Sequence, residues 1–467
     1  MKPKLHIWHT IAVGAAFLAI TAFWQMYNNV NPLVLTNTFH LNKTITGTIM
    51  AADNVFAIFL LPLFGALSDK TKTPFGKRKP YILVGTILSV ILMLQLPILA
   101  DSYFSTPAQW KIVFYVVILA LLLISMGSFR TPAVSLMPDV TAKKYRSIGN
   151  AIINLMGSVG GIFYLILTAI FYSESRTAGM AHVSYFLLFA IVAFLMIAAL
   201  VVVMILVKEP KWAKQAEEED LILDRLEAEE NAKKAASKEE SNGSETKETD
   251  KSSKEKDTKK AWPKMVSLIF LLLSVSLWFI SYNAIETWFT EYAYETWHMA
   301  LGSSSLCLTI ATATAILCFI PLGLLASVIG RKKSIFIGIG LLFVNFFICF
   351  AYTLYFDHFN PILYAVFSFV GIGWAMINVN SLPMVVEMCK NSDIGKYTGL
   401  YYTFSMAAQI VTPVLAGWLM ENIGNHMLFL YSMVFAALAF ITMLFVHHGD
   451  HKSEAKTGID AYEEMDG

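Results

Sequence analysis

The sequence predicts an all-α membrane protein, with twelve transmembrane helices in two pseudo-symmetric six-helix bundles. Three observations carry that expectation: a composition too apolar for a soluble enzyme, twelve apolar stretches of spanning length, and an internal repeat relating the two halves. Of 467 residues 56% are hydrophobic, and the charged residues are 35 Lys and Arg against 34 Asp and Glu. Residues 208–264 alone hold 30 of these 69 charges, so the other 410 residues carry 39. That density is typical of a membrane protein. A net charge of +1 offers no basic face for nucleic acid, which is set aside as a partner.

Crossing about 30 Å of hydrocarbon at about 1.5 Å per residue takes about 20 apolar residues. Spans are expected near 9–31, 45–68, 79–99, 110–137, 147–171, 183–207, 265–290, 300–328, 334–354, 362–388, 397–420 and 427–447. The run after His9 has no small-residue cleavage site and is read as the first span, not a removable signal.

Orientation follows from the short loops. Those after spans two, four, eight and ten hold Lys70, Lys72, Lys77, Arg78, Lys79, Lys143, Lys144, Arg146, Arg331, Lys332, Lys333, Lys390 and Lys396, against Lys43, Lys111 and Arg176 on the other side. The excess puts both termini in the cytoplasm of a multi-pass cell-membrane protein. The expected domains are residues 1–207, a cytoplasmic charged linker at 208–264, a second bundle at 265–447 and a tail at 448–467. Within the linker, QAEEEDLILDRLEAEENAKKAA favours helix, while SKEESNGSETKETDKSSKEKDTKK buries too little apolar surface to order itself. Cys307, Cys318, Cys349 and Cys389 lie in or at the ends of apolar runs without ligand spacing, so they read as packed residues and no metal is expected.

The halves align in the same direction. Tyr27-Asn28 matches Tyr282-Asn283 at an offset of 255, which sets Asn31 against Glu286. Gly76 and Gly330, each followed by basic residues, lie 254 apart; Asp139 and Glu387 each precede a basic loop. Three matches in one order indicate parallel six-helix repeats.

The phrase GALSDKTKTPFGKRKP, from Gly65 to Pro80, resembles the loop between spans two and three of the major facilitator superfamily, G-x-L-x-D-R-x-G-R-[KR]. Gly65, Leu67, Asp69, Gly76, Lys77, Arg78 and Lys79 fill it, with Lys70 for the usual Arg and a longer gap before Gly76. That gap and Pro80 resemble the branch holding plant sucrose carriers, their animal relatives and the glycoside-pentoside-hexuronide cation symporters. SMGSFRTPAVSLMPDVTAKKYRSIGNA, from Ser125, and YTGLYYTFSMAAQIVTPVLAGWL, from Tyr397, are similar to further segments of that branch. Two departures matter. The sucrose carriers' Asp, eleven positions before the Arg of span four, is Leu119 here, and the melibiose-type carboxylates ahead of Pro62 are Ala57 and Leu61. Neither cation site carries over. The resemblance implies a cytoplasmic gate at Gly65, Asp69, Arg78, Asp139, Arg146, Arg331 and Glu387, with Asp69 pairing across the seam between bundles. The plainer alternative is a basic loop that only fixes topology.

Ionisable groups inside a bilayer cost several kcal/mol unless paired or watered, so each is a candidate. Asp53 and Glu286 are the candidate coupling-ion residues. Asp53 could take up a proton, pair with a buried cation, or face an outer vestibule. Arg130 offers a planar fork to hydroxyls, or else compensates Asp53 or Asp139. Amide and aromatic side chains recur at helical spacing: Trp24, Tyr27, Asn28 and Asn31; Trp278, Tyr282 and Glu286, with Asn283; Trp374, Asn378 and Ser381; Tyr401, Ser405 and Gln409. Amides can pair with sugar hydroxyls and rings can stack on a pyranose, although helix packing produces the same stripes. The expected substrate-binding set is Tyr27, Asn28, Asn31, Arg130, Tyr282, Asn283, Glu286, Trp374, Asn378, Tyr401 and Gln409.

The expected function is secondary active transport of a sugar or glycoside, a disaccharide such as sucrose or maltose favoured, by a monomer in the lipid bilayer. The co-transported ion is H⁺ or Na⁺, with no other cofactor. An exporter of organic compounds with the same fold, and a non-transporting membrane receptor, are the alternatives. No nucleotide loop, HExxH or GxSxG occurs, so no enzyme is expected.

Overall fold

The computed structural model describes residues 6–142, 145–177, 179–180, 182–223, 225, 264–388 and 394–449. The linker from 226 to 263, the tail beyond Gly449, and Lys143, Lys144, Cys389 and Lys390 lie outside them. The described residues hold twelve helices long and apolar enough to cross a membrane. They are α1 (Ile7–Leu33), α2 (Lys43–Lys70), α3 (Lys79–Ser105), α4 (Gln109–Asp139), α5 (Arg146–Phe171), α6 (Phe186–Leu206), α7 (Lys264–Trp297), α8 (Leu301–Ile329), α9 (Arg331–Tyr355), α10 (Leu363–Val386), α11 (Ile394–Asn422) and α12 (Met427–Leu444). We call the end carrying the Arg- and Lys-rich loops the basic end and the other the far end.

Local chemistry sets the boundaries. The Asn42 side chain caps α2 by accepting from the Ile45 amide at 2.7 Å, and Pro80 stands in the first turn of α3, where its missing N–H costs nothing. Gly330, at φ 97°, makes the turn from α8 into α9. Several elements outrun the expected spans, the first and the seventh among them. A π-helical turn, Val34–Thr38, prolongs α1, and α7 continues seven residues past 290 to Trp297, because EYAYETW keeps helical propensity beyond the apolar run.

The packing has the symmetry that the repeat implied. In the first half α1 packs on α5 and α6, α2 on α4, and α3 on α4 and α6. In the second, α7 packs on α11 and α12, α8 on α10, and α9 on α10 and α12: the same pairs with six added to each number. The halves meet through α2 with α11, α5 with α8, and α1 with α7. Each half has its own core, one around Phe23, Tyr115 and Phe129, the other around Trp278, Trp288 and Phe429. Near the far end α2 and α11 touch backbone to backbone, since a Cβ on Gly47 would collide with the Pro413 carbonyl and one on Gly417 with that of Lys43.

The start of the linker is structured. Residues 209–223 are helical and dock on the basic end of the first half. Trp212 stacks on His9 with ring centroids 3.6 Å apart, and His6 meets Glu219 at 3.0 Å.

Candidate functional site

Midway along the seam a cavity of about 230 Å³ is lined by Trp24 and Asn28 of α1, Met50, Asp53, Asn54 and Ala57 of α2, Arg130 of α4, Asn283, Glu286 and Thr287 of α7, and Tyr402, Ser405, Met406, Gln409 and Pro413 of α11. Both halves contribute, which a site for rocking bundles requires. Helical period explains the selection: Trp24 and Asn28, Asp53 and Ala57, Asn283 and Thr287, and Tyr402, Met406 and Gln409 are rows at three- and four-residue spacing. Asp53, Arg130, Asn28, Asn283, Glu286 and Gln409 are therefore brought together as the sequence suggested.

The charges are few and unpaired. Asp53 accepts the Asn54 backbone and side-chain N–H groups at 2.6 and 2.7 Å but makes no ion pair among the described residues. Arg130 and Glu286 are the charged groups acting on it. The Arg130 guanidinium lies over the Trp24 ring, 5.7 Å from its centroid, and has no hydrogen bond among the described residues. Five donors are thus left for a ligand. Asn28 lies close enough to Glu286 to act on its carboxylate across the seam. Asn283 and Gln409 spend one N–H each on the carbonyls of Phe279 and Ser405, at 2.8 and 3.3 Å. Ala57, which stands where the melibiose-type carriers have a carboxylate, lines the cavity, and Asp53 lies one turn away on the same face.

Other candidates stand apart from this cavity. Tyr27, 1% exposed, donates to the Met50 carbonyl at 3.4 Å, and Asn31 accepts from the Tyr115 hydroxyl at 2.7 Å. Tyr282 stacks flat on Trp374 with centroids 3.8 Å apart and, with Gln25 and Glu286, lines a smaller neighbouring void. Tyr401 bonds the Ser381 hydroxyl at 2.9 Å, and Ser381 lies 3.4 Å from the Asn378 carbonyl. These side chains build the walls behind the site.

The gate residues need a correction. Arg78, 4% exposed, donates from Nε to Asp139 at 2.8 Å, from Nη1 to the Ser68 hydroxyl at 2.5 Å and to the Gly65 carbonyl at 3.4 Å, and from Nη2 to Asp69. Lys77 adds a bridge to Asp139 at 3.1 Å. Asp69 thus pairs within the first half and not across the seam, and Arg331 with Glu387 likewise pairs within the second. Arg146 stands outside that network, donating to the Thr141 carbonyl at 3.2 Å. The loop folds back because Glu209, 2% exposed, accepts the backbone N–H groups of Lys77, Arg78 and Lys79 at 2.7, 2.9 and 3.1 Å. Sequence reading missed Glu209 by counting it among the solvated linker charges.

At the far end the bonds do cross the seam. Lys43 donates to Glu295 at 2.5 Å and to the Asn425 side-chain carbonyl at 2.6 Å, while its amide donates to Glu421 at 2.5 Å. Asn37 donates to Glu291 at 3.3 Å, Thr290 to the Asn29 carbonyl at 3.1 Å, and the Gly302 amide to the Tyr172 carbonyl at 2.8 Å. In the sequence Lys43 registers only as an orientation signal.

Twelve apolar helices in two matched halves, with a polar cavity in their seam, define a multi-pass membrane protein of the transporter class. The sequence model of the Major Facilitator Superfamily matches residues 13–299 and 271–463, and the chain belongs to that superfamily. It is 32% identical over 136 residues to the inner membrane metabolite transport protein YhjE of Escherichia coli (strain K12), covering 28% of this chain and 30% of that protein. It is 27% identical over 183 residues to the proton-associated sugar transporter A of Mus musculus, covering 38% and 24%. The chain thus matches less than a third of the length of these relatives. Among solved structures it superposes on a D-xylose-proton symporter with TM-score 0.66 at 14% identity over 95% of this chain and 99% of that one. The inward open xylose transporter XylE from E. coli gives 0.63 at 14% identity over 97% and 98%. Likeness at such identity concerns the fold alone.

Proposed function

We propose that this chain is a proton-coupled symporter of a sugar or glycoside, working by alternating access as a monomer. The observation that carries the reading is Asp53. It is a carboxylate without an ion pair among the described residues, beside a guanidinium with free donors, in a polar cavity that both halves line. A carboxylate so placed can take a proton from one side and yield it to the other, and Arg130, Asn28, Asn283 and Gln409 can hold hydroxyl groups. The resemblance to the sucrose-carrier and glycoside-symporter branch supports a sugar, with Asp53 taking the place of the carboxylate that Ala57 lacks. The naming of one relative as a proton-associated sugar transporter points the same way.

The excess of Lys and Arg supports a cytoplasmic basic end and cytoplasmic termini. On that orientation the described conformation is sealed outside, where bonds cross the seam, and faces inward.

The test is uptake of a panel of radiolabelled mono- and disaccharides into vesicles under imposed proton or sodium gradients. Accumulation of at least one sugar driven by a proton gradient is expected. Accumulation under a sodium gradient alone would overturn the proton assignment, and none for any sugar would overturn the substrate class.

A further inference from the structure

The far end of α7 carries a carboxylate that the transport site does not use. Glu291 is 0% exposed and is absent from the cavity lining. Five residues of helix put it about 7.5 Å beyond Glu286 and on another face. Asn37 donates to its Oε2 at 3.3 Å, while its Oε1 meets no donor among the described residues. The cation acting on Glu291, Lys43, is held by Glu295 and Asn425. Glu295 lies one turn beyond Glu291 on the same face, with the two carboxyl groups within hydrogen-bonding reach of each other. Two carboxylates in contact repel, and an unpaired buried ion is costly. A proton on Glu291 changes both facts, since the acid then donates to Glu295, which keeps its charge for Lys43.

We propose that Glu291 is a second proton site, filled when the far ends of the two halves meet and emptied when they part, which makes sealing respond to far-side pH without carrying the proton across. The proposal rests on the alternating-access reading above. The groups facing Glu291 are Thr36 and Asn37 at the end of α1, Lys43 of α2, Tyr185 ahead of α6, and Glu295 of α7 itself. Glu421 of α11 completes the cluster through the Lys43 amide. On parting, Asn37 and Lys43 leave with the first half, while Glu291, Glu295 and Asn425 stay with the second. Glu291 then meets water and ionises. Because the sealed form holds one proton more, falling far-side pH favours sealing and rising pH weakens it, by up to about tenfold per pH unit.

The test uses the full chain with its four cysteines replaced by alanine and with spin labels at Thr106→Cys and Asp357→Cys, on exposed far-end loops of the two halves. Far-end distances are measured in lipid across roughly pH 5 to 8. Asp53→Asn serves as the background that removes the other site. The sealed fraction should fall as pH rises in Asp53→Asn and become independent of pH on adding Glu291→Gln, or Glu291→Leu as a second neutral replacement. A response that survives both replacements, or that is already absent in Asp53→Asn, would overturn the proposal. Distances that never move in any variant, with sugar or without, would sink the two-half reading along with it.

Discussion

The two ends of the seam use similar residues to opposite effect. At the far end Lys43 belongs to the first half and its acceptors Glu295, Asn425 and Glu421 to the second, so its bonds hold the halves together. At the basic end Arg78, Asp69 and Asp139 belong to the first half and Glu209 to the linker helix docked on it, so their bonds stiffen one body and leave it free to turn. What separates a latch from a brace here is where the partners sit in the repeat. A seam latched at one end and braced within each half at the other is the arrangement of a cavity with a single open side.

Removing the latch should have the largest effect. Lys43→Met leaves Glu295 without its cation; since Glu295 is partly exposed, a loss near the low end for such pairs is expected, about 2 kcal/mol, or about 30-fold in the sealed-to-open ratio. Far-end distance measurements check it, and an unchanged distribution would place the closure elsewhere, at the α2–α11 backbone contact. Between the ends, Arg130→Lys keeps the charge but loses the planar fork. Substrate affinity should weaken about tenfold, some 1.4 kcal/mol. Binding titrations read this directly, and undiminished affinity would reduce Arg130 to charge compensation.

The brace should respond less. Gly76 has φ 112° and a Cβ there would strike the Glu209 carboxylate, so Gly76→Ala should cost about 1 kcal/mol of first-half stability. Thermal unfolding in detergent should record a lower midpoint, with the far-end distances unmoved. Deleting 237–258 should have the smallest effect: uptake should stay within about twofold, because that stretch has little apolar surface to bury. Abolished uptake by an inserted deletion variant would make the linker part of the machine.

Much of this was legible in the sequence. Twelve apolar runs need helices because a bilayer satisfies no backbone bond, and Asp53, Glu286 and Arg130 drew attention because charge in such runs is costly. Rotation about a helix was not legible. Trp24, Tyr27, Asn28 and Asn31 read as one stripe, yet Trp24 and Asn28 reach the cavity while Tyr27, about 100° round from Asn28, is buried against Met50, and Asn31, two turns along from Trp24, is taken up by Tyr115. Tyr402 lines the cavity in a row with Met406 and Gln409 that its neighbour Tyr401 obscured, and Asn54 lines it beside Asp53. Glu291 and Glu295 were hidden by ending the seventh span at 290, and Glu209 by its place among thirty linker charges.

The central claim is that Asp53 couples proton to substrate movement, and one paired measurement tests it: counterflow exchange and gradient-driven uptake in Asp53→Asn. The amide mimics the protonated acid, so exchange of substrate across the membrane should persist while accumulation driven by a pH gradient is lost, since the affinity difference between protonation states is what links the two flows. Accumulation retained in that variant would contradict the claim and move the coupling to Glu286.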